Sequence, residues 1–387
     1  TRGISLFVVP KWLPPEAAGG VAGVRNDIVL AGLNHKLGWR GTPNTVLNFG
    51  EGRHAVGGAA GAVGWLVGAP GDGLRCMFHM MNEARIGIGM AAAMLGMAGY
   101  EASLIYARQR RQGRSPGRRG DTQAAPIIEH ADVRRMLLAQ KAYSEGALAL
   151  GLYCARLVDD TRTAGSDEAS EAQALLDLLT PVAKSWPSQW CLEANSLAIQ
   201  VHGGYGYTRD FPVEQYWRDN RLNMIHEGTH GIQALDLLGR KVLHDDGAAL
   251  HALIERMRGA AARAAAVAVH ADAALPWRAW AEALNQACAE LARSAQAAAR
   301  QSAPQVLDHA TPFLQGFGHV VLAWIWLDVA LCAWGALRAS DSPHALLLGK
   351  LAACRYFFAY ELPLAQAWLQ PLQRGDATLR ETAPEWL

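Results

Sequence analysis

The stretch QVHGGYGYTRDFPVEQYWRDNRLNMIHEGTHGIQALDLLGRKV, residues 200–242, decides how the rest of this sequence is interpreted. Its first part is rich in glycine and breaks a helical pattern. Its last part contains the spacing H-E-x-x-H, at His226, Glu227 and His230. In metalloproteases this spacing places two histidines on one helix, where they hold zinc beside a catalytic glutamate. The first question is therefore whether Glu227 works beside a metal.

The residues around this spacing argue against zinc. Gly228 and Gly231 both lower helix stability, so we predict a loop or a helix start at this point. No further histidine follows at the spacing that zinc proteases use, and Glu255 lies beyond a predicted domain junction. Patterns this short often match by chance. We therefore predict no metal site here.

Composition and charge limit the classes of function. The chain has 387 residues and is 51% hydrophobic, which is enough for a large core. Lys plus Arg (36) nearly equals Asp plus Glu (35), so no overall field attracts nucleic acid or an anionic membrane. The six cysteines are dispersed and form no C-x-x-C pair. This pattern argues against a disulfide framework and predicts a cytoplasmic protein.

One apolar run requires a test against a membrane span. Residues 318–337, GHVVLAWIWLDVALCAWGAL, are long enough to cross a bilayer. His319 and Asp328 interrupt the run, and we find no other segment that resembles a span. We predict a helix that is buried inside a bundle.

The hydrophobic pattern predicts a mainly α-helical chain with a partial β domain. Residues 1–70 carry short alternating runs between glycines and predict the end of a β domain. Residues 71–245 predict a helical bundle, with separate helices over about 170–182 and 188–202. The alanine-rich residues 246–387 predict a second helical module, whose last helix covers about 343–372. The chain has no initial Met and reads as a strand over residues 4–9. We therefore expect it to be the C-terminal part of a longer protein.

Several motifs follow one another in residues 200–242. They are Q-x-x-G-G-x-G-Y at Gln200, Gly203, Gly204, Gly206 and Tyr207, an R-D pair at Arg218 and Asp219, and I-x-E-G-T at Ile225, Glu227, Gly228 and Thr229. Their order and spacing resemble the C-terminal signature of the acyl-CoA dehydrogenase family. The resemblance extends upstream to HKLGWRGTPNTVLNF, MMNEAR and YARQRRQGR. FLQGFGHVVLAWIW and GKLAACRYFFAYELP resemble the extra C-terminal helical domain of the branch that contains 3-methylmercaptopropionyl-CoA dehydrogenase.

The resemblance implies an FAD-dependent enzyme that converts an acyl-CoA thioester to the enoyl-CoA. Glu227 would remove the α-proton while the β-hydride passes to the flavin ring. A carboxylate can do this once desolvation raises its pKa. The Glu227 backbone N–H and a ribityl hydroxyl would polarise the thioester carbonyl. Gly228 would let the backbone approach the ligand.

The resemblance also assigns binding residues and partners. The expected cofactor-binding residues are Arg110, Gln200, Gly203, Gly204 and Thr229, and the expected substrate-binding residues are Arg85, Asn82 and Gly228. Arg110 would reach a flavin phosphate, and the glutamine and glycines would contact the adenosine half across a dimer interface. The implied partners are a short or methylthio acyl-CoA, an electron-transfer flavoprotein as acceptor, and at least one further copy of the chain.

Three other interpretations compete. Arginines near helix ends usually form salt bridges, and this applies to Arg85 and Arg218. A DNA-binding flavoprotein of the alkylation-response branch should carry a basic C-terminal module, but residues 248–387 hold 11 Lys plus Arg against 11 Asp plus Glu. The third interpretation is an inactive helical relic of a truncated gene.

The first prediction concerns the cofactor. The family's N-terminal helical domain and first β-domain motifs, which hold the reactive edge of the flavin, have no match in this sequence. We therefore expect this chain alone to bind FAD weakly or not at all. The flavin absorbance of the purified chain, read after incubation with FAD and desalting, measures this. A yellow protein with one flavin per chain would contradict the expectation.

Overall fold

The computed structural model describes residues 3–20, 23–114, 123–270, 275–339 and 344–387, without the side chains of residues 18, 79, 80, 82, 269 and 270. The strands are β1 (Leu6–Val8), β2 (Ile28–Leu33), β3 (Thr45–Phe49) and β4 (Trp65–Val67). The helices are α1 (Gly73–Gln109), α2 (Ala131–Thr163), α3 (Ser166–His202), α4 (Val213–Asn220), α5 (His230–Asp236), α6 (Ala248–His270), α7 (Trp277–Ala299), α8 (Ala303–Asp308), α9 (Ala310–Arg338), α10 (Ala345–Tyr356), α11 (Leu364–Arg374) and α12 (Thr378–Glu381). The prediction of a mainly helical chain with a partial β domain is confirmed.

The chain divides into two compact units, Thr1–Ala84 and Arg85–Leu387. In the first unit the strands form two antiparallel pairs, β1 with β4 and β2 with β3. The buried carboxylate of Asp27 accepts backbone hydrogen bonds from Gly52, His54 and Gly61 at 2.6–3.1 Å. These bonds fix the loop after β3, where few apolar side chains are buried. The predicted boundaries at residues 70 and 245 stay predictions.

Helix α3 is one continuous helix of 37 residues, although Pro181 and Pro187 lie inside it. From the sequence we predicted two helices here, over residues 170–182 and 188–202, and the structure shows this to be wrong. A proline has no N–H, so the carbonyl four residues earlier loses its helical partner. Residues 178–188 are all buried, so the carbonyls that the prolines release face protein rather than water.

Neighbouring segments contact both of these carbonyls, one through a side-chain hydrogen bond and the other through backbone packing. Lys241 Nζ donates to the Asp177 carbonyl, which Pro181 releases, at 2.5 Å. Helix α1 packs directly on the Ala183 carbonyl, which Pro187 releases. The contact is at Gly89, where an added Cβ would lie 1.8 Å from the Ala183 oxygen. Tertiary contacts therefore keep α3 continuous where its sequence predicts a break.

Helix α9 lies at the centre of the C-terminal helices and contacts α2, α3, α5, α6, α7, α10 and α11. It has a single carboxylate, Asp328, which pairs with Arg263 at 2.5 Å. The predicted burial of this helix is confirmed. Among the described residues, two helices are long and apolar enough to cross a membrane, Ala310–Arg338 and Glu83–Gln109. The second one corrects our prediction that no other segment resembles a span. The most apolar stretch is 56% buried in Ala310–Arg338 and 33% buried in Glu83–Gln109.

An aromatic cluster joins α3 to the C-terminal helices. Trp186 and Trp190 of α3 lie against His319 of α9, with ring centroids 5.7 and 4.8 Å apart. Trp368 of α11 lies on the same imidazole at 4.7 Å. Trp186 Nε1 donates to His319 Nδ1 at 3.1 Å. The helices after residue 245 therefore share a core with the preceding bundle.

The contact of α1 with α3 generates a stability prediction. Gly89→Ala forces these helices apart because the added methyl group meets a backbone oxygen, and we expect a loss of about 1–3 kcal/mol. Gly87→Ala is the matched control, since a Cβ at Gly87 meets no atom within 4 Å. That variant should gain up to about 1 kcal/mol from helix propensity. Urea unfolding followed by far-ultraviolet circular dichroism compares them; equal effects would contradict the assigned contact.

Candidate functional site

The segment that carries Glu227 connects a 3-10 turn, Arg221–Met224, to α5. Glu227 has a φ of 52° and Gly228 a φ of 87°. The left-handed conformation costs a residue with a side chain about 1–2 kcal/mol, so surrounding contacts must hold Glu227 in it. Thr229 caps α5, and its hydroxyl accepts a backbone hydrogen bond from Ile232 at 3.4 Å. This agrees with the helix start that we predicted from the glycines.

The two histidines of the H-E-x-x-H spacing have separate partners. His226 lies between the 3-10 turn and α5, with Nε2 3.1 Å from Asn223 Oδ1. His230 begins α5, with Nε2 2.8 Å from Gln189 Oε1. Burial, with the nearby charge of Lys184, lowers both pKa values, that of His230 to about 4. Within the described ranges no group of three His, Cys, Asp or Glu residues could hold a metal. The geometry that zinc requires on one helix is therefore absent from this segment.

Lys184 of α3 is fully buried beneath this segment. Its Nζ donates to the carbonyl of Asn223 at 2.8 Å and to the carbonyl of Gly228 at 2.7 Å. These two carbonyls lie at the two ends of the segment that contains Glu227. A hydrogen bond from a charged donor is about twice as strong as one between neutral groups.

Lys184 is not among the residues predicted from the sequence, although the sequence contains a signal for it. LLTPVAKSWPSQWCL, residues 178–192, has Lys184 as its one charged residue, between two prolines. A charge inside such an apolar run predicts a buried group with specific partners. Burial lowers the pKa of Lys184 to about 8; the charge of Arg85 adds to this effect and that of Glu227 opposes it.

Buried amides continue the network below the segment. Asn223 Nδ2 donates to Asn220 Oδ1 at 2.9 Å, and Asn220 Nδ2 donates to Asn195 Oδ1 at 2.7 Å. Asn195 Nδ2 in turn donates to the carbonyl of Leu95 in α1, at 2.8 Å. All three asparagines have no exposed surface. The chain of amides therefore fixes the start of the segment to α3 and α1.

The side chain of Glu227 is exposed. We expected the proposed base to be desolvated, and the described residues of this chain leave it accessible to water. The backbone around it is fixed instead, since buried Gln233 donates from Nε2 to the Glu227 carbonyl at 3.1 Å. Among the described residues, no acceptor takes a hydrogen bond from the Glu227 N–H. The segment thus presents a carboxylate and an amide donor to the surface.

The predicted substrate residues lie in different surroundings. Arg85 is buried and forms an ion pair with Asp236, with 3.0 Å between Nη1 and Oδ2. Lys241 Nζ lies 3.3 Å from the same oxygen. This arrangement fits the salt-bridge interpretation of Arg85 that we considered from the sequence. Asn82 lies in α1, and its side chain is outside the described residues.

Four of the predicted cofactor residues lie where the C-terminal ends of α1 and α3 meet. Tyr106 stacks on His202 at 4.3 Å, and the Arg110 guanidinium lies 5.9 Å from the centroid of the Tyr205 ring. This tyrosine belongs to the 3-10 turn Gly203–Tyr207. The four exposed residues are Arg110, Gln200, Gly203 and Gly204. A Cβ on either glycine would meet no atom within 4 Å, so the surface there is open.

Comparison with known proteins gives two family matches. Residues 71–243 match the family described as acyl-CoA dehydrogenase, C-terminal domain, and residues 245–383 match acetyl-CoA dehydrogenase C-terminal like. The chain is 41% identical over 246 residues to 3-methylmercaptopropionyl-CoA dehydrogenase of Ruegeria pomeroyi, covering 64% of this chain. It is 32% identical over 98% of its length to the broad-specificity linear acyl-CoA dehydrogenase FadE5 of Mycobacterium tuberculosis. These matches span 40% and 62% of the two relatives.

Solved structures share the fold. The chain matches Caenorhabditis elegans ACDH-11 in complex with C11-CoA, with a TM-score of 0.67 and 18% identity over 94% of this chain and 56% of that one. It also matches a Bacillus anthracis acyl-CoA dehydrogenase complexed with FAD, with a TM-score of 0.64 and 18% identity over 93% of this chain and 58% of that one.

The positive φ at Gly228 predicts that a side chain at this position destabilises the protein. In Gly228→Ala the new methyl group would lie 2.5 Å from Gln233 Nε2, and the backbone would keep a φ of 87° that side chains disfavour. We expect the stability to fall by about 1–3 kcal/mol. Gly231→Ala is the control, because its nearest atom lies at 4.0 Å. Thermal unfolding compares the two variants, and an unchanged midpoint for Gly228→Ala would contradict the assigned strain.

Proposed function

This chain belongs to the acyl-CoA dehydrogenase family, and from that premise we propose that its protein removes two hydrogens from the α and β carbons of an acyl-CoA thioester. We assign the base to Glu227. One observation carries this assignment: a fixed, left-handed backbone presents the exposed carboxylate of Glu227 beside an amide that has no acceptor among the described residues. A strained residue that its surroundings hold in place is typical of a functional position.

The residues of this chain can perform the proton transfer. The Glu227 carboxylate accepts the α-proton, and the electron pair of the broken C–H bond forms the α,β double bond. The Glu227 N–H can donate to the thioester carbonyl and stabilise the negative charge that develops on its oxygen. FAD, when bound, supplies the oxidised ring that accepts the β-hydride with its two electrons. Bound substrate would exclude water from the Glu227 carboxylate and provide the desolvation that its role as a base requires.

The open surface at the ends of α1 and α3 fits the phosphate and adenosine parts of FAD. Arg110 offers an exposed guanidinium, whose planar donors suit a phosphate. Gly203 and Gly204 leave room for close approach of a ligand to the backbone, and Gln200 adds an exposed amide. Thr229, exposed at the start of α5, is the fifth residue that we assign to the cofactor.

We propose a short linear or methylthio acyl-CoA as the substrate. Similar proteins favour this class, since they include a 3-methylmercaptopropionyl-CoA dehydrogenase and a butyryl-CoA dehydrogenase. Gly228 would allow the thioester to approach the backbone. We keep Asn82 and Arg85 as substrate residues, with Arg85 acting from its ion pair with Asp236.

The remaining partners rest on the family resemblance. We propose an electron-transfer flavoprotein as the acceptor and a homodimer or larger homo-oligomer as the assembly. DNA binding is disfavoured, because residues 248–387 contain equal numbers of acidic and basic side chains.

The assigned base can be tested by flavin bleaching. In the full-length protein loaded with FAD, Glu227→Gln keeps the shape of the side chain and removes the proton acceptor. We expect bleaching by butyryl-CoA or 3-methylthiopropanoyl-CoA to slow by at least about 10²–10⁴-fold, with FAD retained. Glu255→Gln is the control, because that glutamate lies on the exposed surface of α6 and pairs with Arg258. Full activity of Glu227→Gln would mean that another residue is the base.

A further inference from the structure

Lys184 is a buried ammonium without a carboxylate in salt-bridge range among the described residues. Complete burial of a lysine is rare because the charge loses its hydration. The partners that replace water are two backbone carbonyls, those of Asn223 and Gly228, at 2.8 and 2.7 Å. These carbonyls bracket six residues, and Glu227 is the fifth of them.

The direction of the Glu227 side chain depends on this backbone. The carboxylate is exposed and accepts no hydrogen bond from a described residue, so no side-chain contact orients it. Its φ of 52° is a conformation that a residue with a side chain leaves unless its surroundings hold it there. Two groups hold the second half of the segment: Lys184 at the Gly228 carbonyl, and Gln233 at the carbonyls of Glu227 and Gly228.

We propose that Lys184 is the positioning residue of the catalytic base, holding both ends of residues 223–228 so that the Glu227 carboxylate meets the α-carbon of the substrate. This inference rests on the proposed role of Glu227. Lys184 itself touches neither substrate nor cofactor in this assignment. Its contribution is geometric, and a misplacement of about 1 Å can cost a reaction about 100-fold.

The two hydrogen bonds from Lys184 depend on pH, because the charge of its ammonium group depends on pH. The charged or titratable groups that interact with the ammonium are Arg85 of α1, His226 and Glu227 of the segment, and His230 of α5. Burial and Arg85 lower the pKa of Lys184 to about 8. Raising the pH through this value leaves a neutral amine, which has one donor fewer and makes weaker hydrogen bonds. The pKa values of His226 and His230 are also lowered, so neither ring changes charge near pH 8.

The test uses Lys184→Met in the full-length protein loaded with FAD, because methionine keeps the apolar stem and removes the donors. With butyryl-CoA we expect kcat to fall about 10- to 100-fold and KM to change little. Amide hydrogen exchange in residues 223–230 should become faster. Lys184→Gln, which keeps a neutral donor, should lie between the wild type and Lys184→Met in both measurements.

Lys141→Met is the matched control. It removes another largely buried ammonium, which pairs with Glu145 at 2.6 Å within α2. This variant should leave both kcat and the exchange of residues 223–230 unchanged. A general effect of losing a buried charge would instead alter both variants alike and would overturn the assignment.

The wild-type pH profile needs no substitution. We expect kcat to fall as the pH rises through about 8, and this limb should be missing in Lys184→Met. A flat wild-type profile, an unchanged kcat in Lys184→Met, or unchanged exchange would each overturn the positioning role. Failure of the proposed function looks different: the wild type itself would not bleach, while the exchange data would still report whether Lys184 holds the segment.

Discussion

The continuity of helix α3 depends on tertiary contacts at two backbone carbonyls. These carbonyls have no helical N–H donor, because the residues four positions later are prolines. Lys241 Nζ donates to the Asp177 carbonyl, and α1 presses Gly89 onto the Ala183 carbonyl. Both contacts require α1 and the segment after α5 to lie directly against α3. The same stretch of helix carries Lys184, so the packing that preserves α3 also determines where the ammonium reaches.

The hydrophobic pattern of the sequence correctly predicted those strands and helices that depend mainly on neighbouring residues. The glycine-punctuated β segment, the long helix α1 and the buried helix α9 follow from periodicity and composition. The family motifs also identified the chain, because several spaced elements occur in one order. The H-E-x-x-H spacing alone was misleading. Gly228 and Gly231 favoured a loop or a helix start at this point, and α5 begins at His230.

Contacts between distant residues account for what the sequence did not predict. The continuity of α3 depends on Lys241, which lies far along the chain. We also predicted one helix over residues 343–372, but the structure has a π turn, Phe357–Glu361, before α11. Pro363 follows that turn and cannot donate to a preceding carbonyl. The three bonded asparagines were missed for the same reason, because their hydrogen bonds exist only in the folded chain. The apolar run around Lys184 indicates burial, but its two carbonyl partners follow only from the folded structure.

The aromatic cluster around His319 limits how this protein can be divided. Trp186 and Trp190 lie on α3, and they are covered by side chains of α9 and α11. A gene fragment that ended near residue 245 would encode a product in which these indole rings are exposed to solvent. Such an exposed apolar surface promotes aggregation. Domain shuffling during evolution would meet the same obstacle. The C-terminal helices and the bundle would therefore be inherited and exchanged together, as one folding unit.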